Sequence, residues 1–460
     1  MLNPPPLSTS ATRERIRELG RSDEIECVTA LLEDGGVPPE LRPVVEGQAA
    51  SLVHAIRKRQ HYGANVNALL NEYSLSSAEG VMLMCLAEAL LRVPDKLTRD
   101  RLIQDKLGSG DWSAHLGSSH SLFVNASAWG LLLTGKFIQL QQSSGDSLLR
   151  QLRQILGRAG EPAIRAAMQL AMRVMGTQFV LGRDIGEAID KSRTWQDRGY
   201  SYTYDMLGEA ARTGDYAQDY FDSYCEAIER VGNNAGSDSP VDGPGFSIKL
   251  SALHPRYELV HYQRLRDELA PRILELAQLA RRHNLGLTID AEEAHRLDPS
   301  LELFQQVFAD HSLRGWEGLG IAVQVYLKNA LAVIDWLRDL AGQHKRKVMV
   351  RLVKGAYWDA EIKLAQTQGY DNYPVYTLKA SRDLAYIVGA RRLLSCRDLL
   401  YPQFATHNAH SVAAILQLAG DTRDYEFQRL HGMGEELYDE LIAHQGVAAA
   451  CRIYSPVGVH

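Results

Sequence analysis

The sequence predicts an α/β protein in which a (β/α)8 barrel follows an all-helical N-terminal region. After residue 199, short β-type runs alternate with longer helical runs, a pattern typical of a parallel sheet. These runs number eight, the count at which such a sheet closes into a barrel. An open doubly wound sheet is the competing architecture. It would call for a glycine-rich phosphate turn after an early strand, and the sequence contains no GxGxxG.

The fifth β-type run leads into the most informative stretch, KVMVRLVKGAYWDA. Its apolar residues alternate, Gly355 interrupts the pattern, and a helix-like sequence follows, so the stretch predicts a strand, a loop and a helix. Arg351 and Lys354 come at the end of the strand, and Tyr357 and Trp358 add flat apolar surface beside them. The eight predicted strands are Tyr200–Leu207, Phe246–Leu253, Leu287–Glu293, Gly320–Tyr326, Val348–Gly355, Gln403–Asn408, Glu426–Gly432 and Cys451–Pro456.

The chain before the barrel divides into three predicted segments. We expect an N-terminal arm over residues 1–60, with a possible role in dimerisation, a helical domain over 61–107 and a linker over 108–160, followed by the barrel over 161–460. Asp23 followed by Glu26 predicts a helix start, and Gly35–Gly36 its end. A second helix is predicted from near Glu40, a buried third one after Ser76, and another over residues 162–176.

Composition narrows the function classes. The net charge is −6 with no basic block, so no nucleic-acid partner is expected. The five cysteines never occur at CxxC spacing, which indicates reduced thiols of a cytosolic protein. The N-terminal residues predict no signal peptide. The most apolar run, Val81–Val93, is too short to span a bilayer, so any membrane contact is expected to be peripheral.

Polar residues stand at the end of every predicted strand, where barrel enzymes place their chemistry. Single members have simpler structural explanations: a helix cap for Asp205, and an ion pair with Asp290 for Lys249, which we rank above a Schiff-base role. The spacing of His407 and His410 is a weak metal signal, and no metal is expected. The set comprises Asp205, Lys249, Asp290, Glu292, Gln324, Arg351, Lys354, Thr406, His407, Asn408, His431, Glu435 and Tyr454.

These strand-end residues offer cations, amide and imidazole donors, and aromatic rings. They include no obvious nucleophile–base triad and no carboxylate–histidine metal cage. Such a set suits a large, anionic, partly flat cofactor that supplies the difficult chemistry itself. Flavin fits best, because a cation beside the isoalloxazine stabilises its anionic reduced form and Gln or Asn side chains match its pyrimidine edge.

Several motifs in order carry a resemblance to a known family. VRLVKGAYWD, NLGLTIDAEE, FSIKLSALHPRY, YPQFATHNAH, YEFQRLHGMGEELY and CRIYSPVG resemble the FAD-dependent proline dehydrogenase barrel of the bacterial proline utilization A family. SSAEGVMLMCLAEALLRVPDKL and DWSAHLGSSHSLFVNASAWGLLLTGK resemble its N-terminal helical region. The resemblance implies oxidation of L-proline to Δ1-pyrroline-5-carboxylate, with hydride transfer to flavin N5 and electrons passing to quinone. It also implies a cytoplasmic protein, peripheral on the inner face of the bacterial membrane.

Site residues follow from the resemblance position by position. Arg351 would lie close to flavin N5 and Gln324 at the pyrimidine edge. The implied catalytic residues are Lys249, Asp290, Arg351, Tyr357 and Tyr454, and the proline pocket adds Ala356 and Leu430. The implied cofactor-binding residues are Asp205, Gln324, Arg351, Val353, Lys354, Gly355, Ala356, Trp358, Thr377, Lys379, Thr406, His407, Asn408 and Gln428.

The sequence departs from the family pattern in places. QVYLKN stands for QAYQKR, and Leu378 stands where Arg is usual, removing one expected phosphate contact. The family's basic DNA-binding arm and its aldehyde dehydrogenase half have no counterpart here. We interpret the chain as truncated before the last barrel helix, which in the family carries two arginines that clamp the proline carboxylate.

We therefore expect the chain to keep FAD and bind proline weakly, because two such bonds at about 1.5–3 kcal/mol each account for more than ~100-fold in affinity. Two other functions stay open at this point. One is a flavin-free barrel lyase with Lys249 as its Schiff-base residue. The other is a non-catalytic assembly module built on the N-terminal helices.

Overall fold

The structure is a computed structural model that describes residues 10–59, 179–236, 239–444 and 450–458. The chain separates into two compact units, Met1–His54 with Leu181–Val459, and Ala55–Val180 with His460. Most of the described residues belong to the first unit. The helices predicted after Ser76 and over 162–176, the apolar run Val81–Val93 and the linker over 108–160 lie outside the described residues.

Eight parallel strands close into a barrel in chain order, so the predicted fold class is confirmed. The closing pair is continuous: β8 pairs with β1 from Tyr200 opposite Cys451 to Met206 opposite Val457. The strands are β1 (Tyr200–Met206), β2 (Gly245–Ile248), β3 (Gly286–Ile289), β4 (Leu319–Gln324), β5 (Val348–Val353), β6 (Leu400–Ala405), β7 (Glu426–Leu430) and β8 (Ala450–Val457).

Helices precede and follow these strands. In the N-terminal arm they are α1 (Ala11–Leu19), α2 (Glu24–Asp34) and α3 (Arg42–Arg59). Around the barrel they are α4 (Ile185–Gln196), α5 (Gly214–Asn234), α6 (Ala270–Arg282), α7 (Leu297–Phe308), α8 (Ala330–His344), α9 (Trp358–Gln368), α10 (Lys379–Ser395), α11 (Ala409–Ala419) and α12 (Glu435–Asp439). Shorter helical turns span Pro39–Leu41, Leu250–Leu253, Leu259–His261, Tyr262–Arg264, Leu265–Leu269, Ala294–Arg296, His311–Leu313 and Glu440–His444.

The start of α2 follows the predicted capping pattern. The Asp23 side chain accepts hydrogen bonds from the N–H groups of Ile25 and Glu26, and Gly35 ends the helix with a φ of 77°. A residue with a Cβ is strained at that φ, which is why glycine suits this position. The second predicted helix begins at Arg42, just after the turn that contains Glu40.

The N-terminal arm docks on the barrel through buried charge. The Arg13 side chain is fully buried and pairs with Asp298 and Glu302 of α7. The Lys328 ammonium donates to the carbonyl oxygen of Ser22 at 2.8 Å, and the Asn329 amide donates to that of Ile16 at 3.1 Å. The first turns of the arm are therefore part of the barrel's packing.

The barrel interior is polar. Along β5, Val348, Val350 and Leu352 are fully buried on one face of the strand. The alternate residue Arg351 contacts Ser247 of β2 and Asp290 after β3. Because neither strand neighbours β5, Arg351 must reach across the inside of the barrel. Such interiors are usually filled with branched apolar side chains, so these polar side chains mark the site.

Three predicted strands have wrong boundaries. β3 ends at Ile289, four residues before the predicted end at Glu293. β2 ends at Ile248, and Leu250–Leu253, predicted as strand, forms a helical turn that is entirely buried. A short buried apolar run fits either structure, so the sequence pattern could not separate them. β6 runs three residues earlier than predicted, over Leu400–Ala405. The segment 406–408 belongs instead to the loop that starts α11.

Candidate active site

A buried cluster of opposite charges lies at the carboxyl ends of β1, β2 and β3. The Lys249 ammonium lies 2.8 Å from Asp205 and 3.4 Å from Asp290, and these side chains are 16%, 6% and 11% exposed. The predicted pair between Lys249 and Asp290 is present, but Asp205 is the closer partner. Asp205 does not cap the following helix as its simpler interpretation supposed, because Thr213 caps α5.

The Tyr454 hydroxyl joins the two carboxylates. Its oxygen lies 2.7 Å from Asp205 and 2.8 Å from Asp290. A phenol has one proton to donate, so the two carboxylates compete for it. Burial and the two carboxylates keep the pKa of Tyr454 well above its ordinary value, so it stays a donor. Burial likewise raises the pKa of Asp205, although Lys249 opposes the shift.

Lys249 is held as an ammonium. Burial favours its neutral form, but Tyr454, Asp205 and Asp290 outweigh this and raise the pKa of Lys249 well above its ordinary value. A Schiff-base lysine must reach its neutral form to attack a carbonyl group. The surroundings of Lys249 therefore suit an electrostatic role and oppose a nucleophilic one.

Arg351 is the point where the polar residues of several strands converge. Its Nε donates to Gln428 at 2.7 Å, and its Nη1 donates to Ser247 at 2.8 Å and to Asp290 at 2.6 Å. The guanidinium lies over the Tyr454 ring, 5.0 Å from the ring centroid. Its Nη2 is buried and has no hydrogen-bond partner among the described residues. One donor group of this firmly held cation is therefore left without an acceptor in the part of the chain that the structure describes.

The loop after β5 meets the end of β4 at Gln324. The Gln324 amide donates to the carbonyl of Glu292 at 2.8 Å and accepts from the N–H of Ala356 at 3.2 Å. Gly355 has a φ of 129°, and a Cβ added there would lie 2.5 Å from the Tyr326 ring. The close approach that the structure shows at Gly355 is therefore to a protein ring. A close approach to a ligand stays a prediction.

Two lysines proposed for the cofactor share one carboxylate. Lys354 and Lys379 both form ion pairs with Asp383, and Lys379 Nζ lies 2.5 Å from Asp383 Oδ2. Lys354 is 34% exposed and Asp383 is 39% exposed, so water screens their attraction. A phosphate would compete with Asp383 for both ammonium groups. The role of Lys354 and Lys379 in cofactor binding stays a prediction.

Trp358 and Thr377 make their contacts with other parts of the structure. The Trp358 indole donates to the Tyr376 carbonyl at 3.0 Å and lies beneath the Arg382 guanidinium. The Thr377 N–H donates to Glu24 of the N-terminal arm at 2.8 Å. These contacts explain both residues structurally, and their predicted cofactor role stays a prediction.

The loop after β6 is fixed by its own hydrogen bonds. Asn408 caps α11 through Ser411, and its N–H donates to Thr406 at 3.1 Å. The N–H of Leu430 donates to His407 Nε2 at 2.9 Å. Burial, with a smaller contribution from a nearby arginine, lowers the pKa of His407 to about 4, so its ring is a neutral acceptor.

The described residues hold no group of three or more His, Cys, Asp or Glu side chains placed to bind a metal ion. Val353, the last residue of β5, and Tyr357, just before α9, are half-buried, and Ala356 in the loop between them is exposed. Leu430, predicted in the proline pocket, is 39% exposed. The predicted residues that the hydrogen bonds join into one cluster are Asp205, Lys249, Asp290, Arg351, Gln428 and Tyr454.

Four buried polar residues of this interior were not predicted from the sequence: Ser247, Gln403, Glu426 and Arg452. Glu426 accepts hydrogen bonds from Arg452, Gln403 and Gln428, and Ser247 accepts one from Arg351. A signal was available: polar residues at alternate positions of otherwise apolar strands, as in YEFQRL and CRIYSP, indicate a polar interior face.

Comparison with known families agrees with the barrel fold. A family model described as "Proline dehydrogenase" matches residues 188–460. The chain belongs to the proline dehydrogenase family. A model of the proline utilization A proline dehydrogenase N-terminal domain matches residues 10–57, and one of the DNA-binding domain of proline dehydrogenase matches residues 65–179. Together they place the chain with the N-terminal part of proline utilization A, as the motifs indicated.

Individual proteins similar to this proline dehydrogenase family member include proline utilization A proteins and a proline dehydrogenase. The chain is 48% identical over 463 residues to the bifunctional protein PutA of Escherichia coli (strain K12), covering 99% of this chain and 35% of that protein. It is 27% identical over 62% of its length to proline dehydrogenase 1 of Bacillus subtilis subsp. natto. A crystal structure of a mutant proline utilization A from Bradyrhizobium japonicum matches with a TM-score of 0.71 and 44% identity, covering 99% of this chain and 45% of that one. The chain thus spans about a third of the length of the PutA of Escherichia coli.

Proposed function

We propose that this chain binds FAD and oxidises L-proline to Δ1-pyrroline-5-carboxylate. The observation that carries the proposal is Arg351, held by Gln428, Ser247 and Asp290 while its buried Nη2 has no partner among the described residues. An unmet buried donor costs free energy, which a bound acceptor would recover. The ring nitrogens and carbonyl oxygens of an isoalloxazine are acceptors of this kind.

The chemistry of the surrounding donor set fits the same cofactor. We assign Arg351, Gln324 and Gln428 to the flavin ring, and the cations Lys354 and Lys379 to the anionic part of FAD. When bound, FAD would accept the two electrons and the hydride of the oxidation, while the chain supplies position and charge. The family membership of residues 188–460 supports this assignment.

The buried charge cluster suits proline as substrate. Proline is a zwitterion with a carboxylate and a ring ammonium, and Lys249 and Asp290 offer one group of each opposite sign. The rings of Tyr357 and Tyr454 and the partly exposed Leu430 provide apolar surface for a five-membered ring. We propose that Lys249 and Asp290 orient the substrate polar groups while these side chains exclude water.

The visible spectrum of the purified chain tests the proposal directly. We expect a bound flavin whose absorption band is bleached when L-proline is added without oxygen and is unchanged by D-proline. Arg351→Met, which removes the central cation, should weaken or abolish both flavin binding and bleaching. A chain that takes up no FAD on reconstitution, or whose flavin stays oxidised in excess L-proline, would refute the proposed function.

The lyase alternative receives no support from the structure, because Lys249 is held as an ammonium between two carboxylates. Trapping with borohydride and a carbonyl compound would leave Lys249 unlabelled. If the chain were a non-catalytic assembly module, it would not turn over proline, and adding L-proline would leave its visible spectrum unchanged.

We further propose quinone as the electron acceptor and a peripheral membrane location in the bacterial cytoplasm. In the part of the chain that the structure describes, no helix is long and apolar enough to cross a bilayer. Vesicle flotation of the chain with reduced and oxidised flavin, and turnover with a quinone analogue, test these two points. Dimerisation through the N-terminal arm and the lack of a nucleic-acid partner stay predictions, testable by light scattering and by DNA mobility shift.

A further inference from the structure

We propose that Glu426 is a positioning residue that orients Arg351 through the side-chain amide of Gln428. Glu426 is fully buried inside the barrel at the start of β7. One carboxylate oxygen accepts from Gln428 at 2.7 Å, from Arg452 at 2.8 Å and from Gln403 at 2.9 Å. The other oxygen accepts from Arg452 at 3.0 Å.

The charge of Glu426 decides which way the Gln428 amide points. An ionised carboxylate only accepts hydrogen bonds, so the Gln428 NH2 group must face Glu426. Its carbonyl oxygen then faces Arg351 and accepts from Nε at 2.7 Å. In the flipped orientation two donors, the NH2 group and the guanidinium, would face each other. Glu426 therefore determines that Arg351 finds an acceptor.

Glu426 is itself anchored to the barrel wall. Arg452 binds both of its carboxylate oxygens and donates to the backbone carbonyls of Tyr202 at 3.2 Å, Gly243 at 2.7 Å and Val241 at 2.5 Å. These partners lie in β1 and in the segment that enters β2. A rigid chain of hydrogen bonds thus runs from the barrel wall to the guanidinium at the site.

This inference rests on the proposed function, in which Arg351 contacts the flavin. Three bonds hold the guanidinium, and losing the one from Nε would leave Arg351 tied only to Ser247 and Asp290 through Nη1. The Nη2 group of Arg351, which has no partner among the described residues, would then point in a different direction. Lys249 is bound by Asp205 and Asp290 outside this chain of bonds, so the proline side should change less.

The variant Glu426→Gln tests the inference, with Gln403→Met as a matched control. Both remove or weaken a hydrogen bond at the same carboxylate, but only the first frees the Gln428 amide to flip. In the FAD-loaded full chain we expect Glu426→Gln to lower kcat by up to about 100-fold with a much smaller change in KM. We also expect it to shift the spectrum and reduction potential of the bound flavin. Gln403→Met should leave all of these as in the wild type.

The inference is overturned if both variants give the same kcat, spectrum and potential as the wild type, or if both change them equally. Glu426→Gln leaves Arg452 without its counter-charge, and the variant will not fold if that cost is too high. In that case the same measurements are made on the double variant Glu426→Gln with Arg452→Gln, which removes both charges. A wild-type chain that binds no FAD would refute the proposed function instead, so the two failures are distinguishable.

Discussion

Replacing Lys249 by Met would test the charge balance of the site. In the wild type the Lys249 and Arg351 cations balance the carboxylates of Asp205 and Asp290. Removing the ammonium leaves one carboxylate in excess at a site where both are at most 11% exposed. Breaking a buried pair in this way costs about 3–5 kcal/mol of unfolding free energy.

Proton uptake sets an upper limit on that cost. The ordinary pKa of an aspartate side chain is 3.8. For each pH unit above that value, keeping the carboxyl group protonated in the folded state costs about 1.36 kcal/mol. The limit is about 4.4 kcal/mol near pH 7 and about 1.6 kcal/mol near pH 5. Burial already raises the pKa of Asp205 in the wild type, and Lys249 opposes that shift. We expect the pKa to rise further in the variant, so the loss of stability should grow as the pH rises above 3.8. Lys249→Met should therefore be more damaging near pH 7 than near pH 5.

Urea unfolding of the barrel, followed by circular dichroism at both pH values, measures this difference. Lys354→Met is the matched control, because its pair with Asp383 is 34% and 39% exposed and is worth at most about 1 kcal/mol at either pH. A cost for Lys249→Met below about 1 kcal/mol near pH 7, or a cost that is larger near pH 5, would contradict this prediction.

Three further predictions follow from single contacts. Tyr454→Phe removes the hydroxyl shared by two carboxylates and should lower the free energy of unfolding in urea by about 1–3 kcal/mol. Tyr370→Phe is the control and should leave that free energy unchanged, because Tyr370 is 57% exposed. Arg13→Met should lower the unfolding free energy by about 3–5 kcal/mol in the same assay, because it breaks a buried ion pair. Arg15→Met should lower it by less than about 1 kcal/mol, because the Arg15 side chain is 65% exposed. Equal losses for the two variants would contradict the buried docking of the N-terminal arm. Burial and nearby cations lower the pKa of His431 from 6.5 to about 4, so stability present above 6.5 is lost as the pH falls through 4, by up to about 3 kcal/mol. His431→Asn should flatten that part of the stability profile measured by thermal unfolding.

The sequence predicted the barrel because its signals are local. Alternation in Val348, Val350 and Leu352 follows from the two-residue period of a strand, and all three are buried on one face. The cap at Asp23 and the end at Gly35 depend only on residues within one helix. The boundary of β2 failed for the opposite reason: Leu250–Leu253 is apolar and buried, and only its surroundings decide between strand and helix.

The candidate site was predicted as a list of residues, and its connections were not. Lys249 was paired with Asp290, yet the closer partner is Asp205. Glu426 and Arg452 were passed over, although they form a fully buried pair in the barrel interior. A strand-end position tells which rim a residue joins but not which side chain of another strand it meets.

The amino-acid sequence alone was enough to predict the alternation of strands and helices in the barrel, the cap of α2 and the chemical character of the rim. Each of these depends on residues within about one turn or one strand of each other. The tertiary structure alone decided that Arg351 meets Ser247, 104 residues earlier in the chain, and Gln428, 77 residues later. Barrel closure and strand register bring such distant residues together, and both depend on the packing of all eight strands at once.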